Sequence, residues 1–110
     1  MSELTQRVCF TLRIRSDRVA EYRARHLAVW PQMRQALSAA GWRNYSLFLG
    51  RDGLLVGYLE CEDFDQARRD MEATEVNQTW QESVKDLFAD LEDQAPDQAM
   101  EPLDLVFHLP

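Results

Sequence analysis

Between residues 7 and 14 the chain changes character at every step. Val8, Phe10, Leu12 and Ile14 fall on one side, and Cys9, Thr11 and Arg13 on the other. A period of two is the repeat of a strand with one buried face. At Arg18 the period lengthens to that of a helix. Its apolar stripe runs through Val19, Tyr22, His26, Val29/Trp30, Met33, Ala36/Leu37 and Ala40. Ser16 or Asp17 is placed to cap this helix, and Pro31, lacking an N–H, to kink or restart it. Gly41 is a natural stop. Residues 42–49 read as a second strand, Gly50-Arg51-Asp52-Gly53 as a hairpin turn and residues 54–60 as the returning strand. Asp63, with Gln66 three residues on, opens a second helical region. Its stripes run through Phe64, Ala67 and Met71 and then, after Thr74, through Val76, Trp80, Val84, Leu87/Phe88 and Leu91. Residues 92–102 are polar with two prolines and read as a surface connection, and residues 103–109 alternate again as a last strand.

The order β-α-β-β-α-β predicts an α+β, ferredoxin-like domain: an antiparallel four-stranded sheet with two helical regions on one face. At 110 residues the whole chain, 1–110, is expected to form one domain. Two helical regions cover only one side of such a sheet. The other side, carrying residues such as Val56 and Val106, needs a partner, and a second copy of the chain is the economical one.

The net charge of −7 argues against nucleic acid and anionic membrane surfaces as partners. No apolar run has the length of a signal peptide or a membrane span, so the expected location is the cytosol. Cys9 and Cys61 belong to no C-x-x-C pair, lie on predicted strands, and read as buried small hydrophobes in a reducing compartment. No metal signature is present: His26 and His108 are far apart, and no H-E-x-x-H or paired Cys/His spacing accompanies them. No phosphate-cradling glycine loop or G-x-S-x-G elbow occurs. Haem ligation by His26 stays open on a fold of this type.

The chemistry-bearing residues converge on one place. Tyr22 and His26 project from the first helix toward the sheet, Tyr45 from the second strand toward the helices, and Trp80 from the second helical region. A hollow lined by one imidazole, two phenols and an indole suits a sugar, whose C–H faces stack on aromatic rings and whose hydroxyls bond to the polar edges. Taken singly, an inward His or Trp is more often core than chemistry. Four such residues on facing elements make a site as good a reading as packing. His108 is assigned to structure or to contact between copies.

Specific stretches carry a resemblance. Glu21-Tyr22-x-x-x-His26-x-x-Val29-Trp30-Pro31 is followed by Gly41-Trp42-x-Asn44-Tyr45-Ser46, Leu54-Leu55 with Gly57-Tyr58 and Glu60, and Thr74-x-Val76-x-Gln78-x-Trp80. With the ending Val106-Phe107-His108-Leu109-Pro110, the chain resembles the bacterial L-rhamnose mutarotase family from about Arg7 onward. The resemblance implies a small cytosolic homodimer with a dimeric α+β-barrel fold. It implies an isomerase that interconverts the α and β anomers of L-rhamnose without a cofactor. The family's proton donor falls on His26 and its sugar-contacting tyrosines on Tyr22 and Tyr45. Its helix-2 aromatic pair is matched by Trp80 alone, with Gln81 where some members carry a second Trp. From location alone, the Gln81 amide is expected to bond a sugar hydroxyl instead. Two other classes are kept beside this one: an oxygenase or haem-handling enzyme of the same barrel architecture, and a non-enzymatic dimer that only holds a small molecule.

Overall fold

The computed structural model describes residues 6–110. Among these residues four strands form one sheet: β1 (Gln6–Arg13), β2 (Arg43–Leu49), β3 (Leu54–Cys61) and β4 (Glu101–Pro102). Their spatial order is β2-β3-β1-β4, with every neighbouring pair antiparallel. Between β1 and β2 lie α1 (Val19–His26) and α2 (Pro31–Ala39); between β3 and β4 lie α3 (Phe64–Glu72) and α4 (Glu75–Val84). The α+β, ferredoxin-like arrangement is therefore as the sequence predicts, with each predicted helical region broken into two helices.

The breaks have local causes. Pro31 takes the first position of α2, where its missing N–H costs nothing, and Trp30 before it is extended at ψ 136°. Residues 27–30 thus turn the chain, and α1 ends on His26. The predicted cap at Ser16 or Asp17 is not formed. Those residues make a 3-10 turn, Ser16–Arg18, and α1 begins with no side-chain cap. Arg18 and Arg25 instead pair with Glu21 on the first turn, at 2.7 and 3.0 Å. The caps expected further on are present: Asp63 accepts from the Gln66 N–H and Thr74 from the Asn77 N–H, each at 3.2 Å.

The core lies between the helices and one face of the sheet. Val8 and Phe10 of β1 meet Leu55 and Leu59 of β3 there, under Met33, Phe64, Met71 and Trp80. Gly57 is cross-strand from Phe10, and a Cβ at that position would stand 2.2 Å from the Phe10 ring. The phenyl ring fills the space a side chain would need.

Two expectations need correction. The alternation of residues 103–109 does not continue the sheet. Only Glu101 and Pro102 pair with β1, the Leu103 N–H adds one bond to Cys9 O at 2.7 Å, and residues 104–110 belong to no strand. Period-two patterning marks a segment able to bury one face, yet Leu105, Phe107 and Leu109 are exposed and no layer among the described residues covers them. Conversely, residues 92–102 are not simply a surface connection. A 3-10 turn at Pro96–Gln98 buries Pro96 and Asp97, and Met100 packs into the core behind them. Arg68 donates to Met100 O at 3.3 Å and holds this segment down.

Candidate active site

A cavity of about 760 Å³ opens between the helix layer and the sheet, and Tyr22, His26, Tyr45, Trp80 and Gln81 all line it. The spacing of α1 sets the first two. Four residues apart on one face, the Tyr22 and His26 rings stack with centroids 4.1 Å apart. Tyr22 is further held edge-on by Phe88 at 5.7 Å. The His26 ring meets Trp80 edge-to-face at 5.5 Å, and Trp30, at the break between α1 and α2, meets the same indole at 5.0 Å. From the sheet side, Tyr45 is packed against Trp42 at 5.0 Å and Phe10 at 6.5 Å. Trp42 donates its indole N–H to Ala67 O at 3.1 Å, which makes it a wall fixed to α3.

The orientation of His26 decides its chemistry. Its Nδ1 lies 3.0 Å from the Tyr22 carbonyl oxygen, an acceptor only, so Nδ1 carries the proton and donates. Nε2 then holds the lone pair, and it has no protein partner among the described residues. Burial pushes the imidazole pKa below its ordinary 6.5, opposed by the bond to Tyr22, so the ring is held in the neutral form at pH 7. Burial raises both phenols, Tyr22 further through the neighbouring Tyr45 and Tyr45 further through the charge of Asp97. At neutral pH both are hydroxyl donors, not bases.

Three groups that the sequence reading did not single out complete the wall. Asn77 and Asp97 are buried, at 3% and 8% exposure, and Asn77 Nδ2 donates to Asp97 Oδ2 at 2.8 Å. Gln81 Nε2 donates to Asn77 Oδ1 at 3.0 Å, so the amide is turned partly along α4 rather than wholly into the hollow. Arg34 joins the lining from α2. Asn77 had a signal in the sequence, being three residues from Trp80 on an otherwise inward stripe. Asp97 had none, since a lone Asp in a polar loop reads as solvated. His108 is exposed and stands apart from the cavity lining.

Comparison with known proteins identifies the family and the fold. The family model described as L-rhamnose mutarotase matches residues 7–109. The chain is 40% identical over 84 residues to the L-rhamnose mutarotase of Bacillus subtilis, covering 76% of this chain and 80% of that one. It is 33% identical over 105 residues to that of Rhizobium meliloti, covering 94% and 98%. Among solved structures, L-rhamnose mutarotase from Formosa agariphila superposes with a TM-score of 0.76 at 22% identity, over 96% of this chain and 99% of that one. A putative antibiotic biosynthesis monooxygenase from Nitrosomonas europaea shares the fold more loosely, with a TM-score of 0.59 at 14% identity over 82% and 85%. On the family match over nearly its whole length and on these relatives, the chain belongs to the L-rhamnose mutarotase family.

Proposed function

We propose that the chain interconverts the α and β anomers of L-rhamnose, with His26 carrying the proton and Tyr22, Tyr45, Trp80 and Gln81 holding the sugar. The observation that carries this reading is the posture of His26: a neutral imidazole with Nδ1–H tied to main chain and Nε2 unpartnered beside the cavity. A core histidine with both nitrogens satisfied would have no such use.

The chemistry follows from that posture. Nε2 takes the proton of the anomeric hydroxyl while the C1–O5 pair leaves to O5 and C1–O1 becomes a carbonyl. The imidazolium returns the proton to O5, giving the open aldehyde. Rotation about C1–C2 presents the other carbonyl face, and the same steps in reverse close the ring. Positioned proton transfer of this kind contributes on the order of 10²–10⁴-fold. The phenols of Tyr22, buried, and Tyr45, partly buried, keep their protons and serve as donors to ring oxygens and hydroxyls, and the Trp80 indole offers an apolar wall for a C–H face.

The expected assembly is a homodimer in the cytoplasm. Support for the dimer is the sheet's outer face, where Phe48 is 63% exposed and Leu54 joins it, together with the bared tail through Leu105, Val106, Phe107 and Leu109. No helix among the described residues is long and apolar enough to cross a membrane.

Saturation-transfer NMR between the two anomers of L-rhamnose tests the activity. Catalytic amounts of protein should speed exchange, with L-fucose and L-mannose measuring selectivity. Exchange at the buffer rate would contradict the reading, and a Soret band on haem addition or oxygen uptake with a quinol would favour the oxygenase class. Tyr45→Phe should weaken sugar binding; unchanged affinity removes Tyr45 from the binding set.

A further inference from the structure

The cavity wall contains a polar chain whose direction is fixed by elementary donor and acceptor arithmetic. A carboxylate only accepts, so Asn77 must present its NH₂ to Asp97, which turns its amide oxygen toward Gln81. Gln81 must in turn present its NH₂ to Asn77, at 3.0 Å. Every oriented amide proton in the chain therefore points toward Asp97. What remains open at its end is an acceptor: Asp97 Oδ1 has no hydrogen-bond donor among the described residues, although the residue is only 8% exposed and lines the cavity.

We propose that Asp97 is the sugar-recognition carboxylate of this site, its Oδ1 accepting a hydrogen bond from one ring hydroxyl away from the anomeric centre, with Asn77 and Gln81 as positioning residues. Burial gives the argument its force. A carboxylate taken out of water needs its lone pairs satisfied, and one donor at Oδ2 leaves Oδ1 for an occupant to satisfy. The occupant must bring a donor to this oxygen while lying against the aromatic rings of the same cavity, which describes a polyol. Asp97 lines the same hollow as the phenols of Tyr22 and Tyr45. Trp80, one helical turn from Asn77 on α4, joins this wall to His26 at 5.5 Å. The inference rests on the mutarotase reading, but it assigns a role in selection rather than in proton transfer.

The test is binding, so that it does not depend on turnover. Dissociation constants for L-rhamnose and its 2-, 3- and 4-deoxy analogues would be read by NMR titration for the wild-type chain, Asp97→Ala and Asp97→Asn. In the wild type, one deoxy analogue should bind roughly tenfold to a hundredfold more weakly than L-rhamnose, the range of a hydrogen bond to a charged acceptor. In Asp97→Ala that penalty should shrink to within about threefold, while the penalties for the other two analogues stay as they were. Where Asp97→Ala loses its near-UV circular dichroism, Asp97→Asn carries the test, because its amide oxygen keeps the Asn77 bond. Its penalty for the same analogue should fall by about tenfold. Equal penalties in wild type and variant, or no analogue singled out, would overturn the proposal. Accelerated anomer exchange together with flat binding discrimination would leave the mutarotase reading standing and this inference alone refuted.

Discussion

The two faces of the sheet share the same three long strands and have opposite fates. On the helix side, Phe10 and Leu59 are closed to solvent; on the other, Phe48 is 63% exposed. Neighbouring residues of one strand part company in this way because a pleated strand sends alternate side chains to opposite faces, and four short helices cover only one of them. The covered face could be hollowed locally, at Tyr22, His26, Tyr45 and Asp97, because the rest of the layer is tightly packed. The bare face carries apolar side chains that nothing among the described residues buries. The difference teaches that the inner face combines a packed core with the candidate site, whereas the outer face leaves apolar side chains that the proposed dimer would bury.

The sharpest way to break this contrast is to truncate equivalent aromatics on each side. Phe10→Ala should cost about 3–5 kcal/mol in urea or thermal unfolding, the range for a buried Phe. Phe48→Ala should stay within about 0.5 kcal/mol when unfolding is followed at protein concentrations where the chain is monomeric. Comparable losses at the two sites would deny that the faces differ. Next in size is Gly57→Ala, whose methyl would enter the Phe10 ring. Overpacking there should destabilise by about 1–3 kcal/mol, and a neutral result would mean that the phenyl ring moves aside freely.

The outer face is sharpened by Phe48→Asp, and the bared tail by Val106→Asp. Sedimentation velocity should show each variant shifted from dimer toward monomer, with sugar affinity within about twofold of wild type. An unchanged sedimentation profile would place the interface elsewhere. The smallest effect belongs to acid. The His26 pKa is lowered by burial, so the unfolded chain binds that proton more tightly than the folded one. The group's stabilising contribution is present above about pH 6.5 and is lost as pH falls through the folded-state value. His26→Asn should flatten this part of the stability–pH curve, and a curve identical to wild type would locate the titration in another group.

Much of this was legible in the sequence, for reasons that also explain the exceptions. Clean periodicity in residues 7–14, together with Pro31 and the Asp63 and Thr74 caps, placed the strands and helices because each depends on neighbours in the chain. The Tyr22–His26–Trp30 spacing put a ring stack on the inner face for the same reason. The last strand does not form because alternation reports a face to be buried, never what buries it, and Leu105, Phe107 and Leu109 find no cover among the described residues. Asp97 was invisible because its burial is created by Asn77, twenty residues away, and by the anchoring of Met100 to Arg68. Gln81 was noticed for standing where some relatives carry Trp, but its bond to Asn77 is a property of the folded helix.

The account turns on one nitrogen, His26 Nε2, and the direct measurement is the anomer exchange rate of L-rhamnose across pH 5–8 for the wild-type chain and His26→Ala. The wild-type rate should fall as the imidazole protonates at the acid end. The variant, with unchanged circular dichroism, should lose about 10²–10⁴-fold and show no such fall. A folded His26→Ala protein that exchanges the anomers at the wild-type rate would contradict the account.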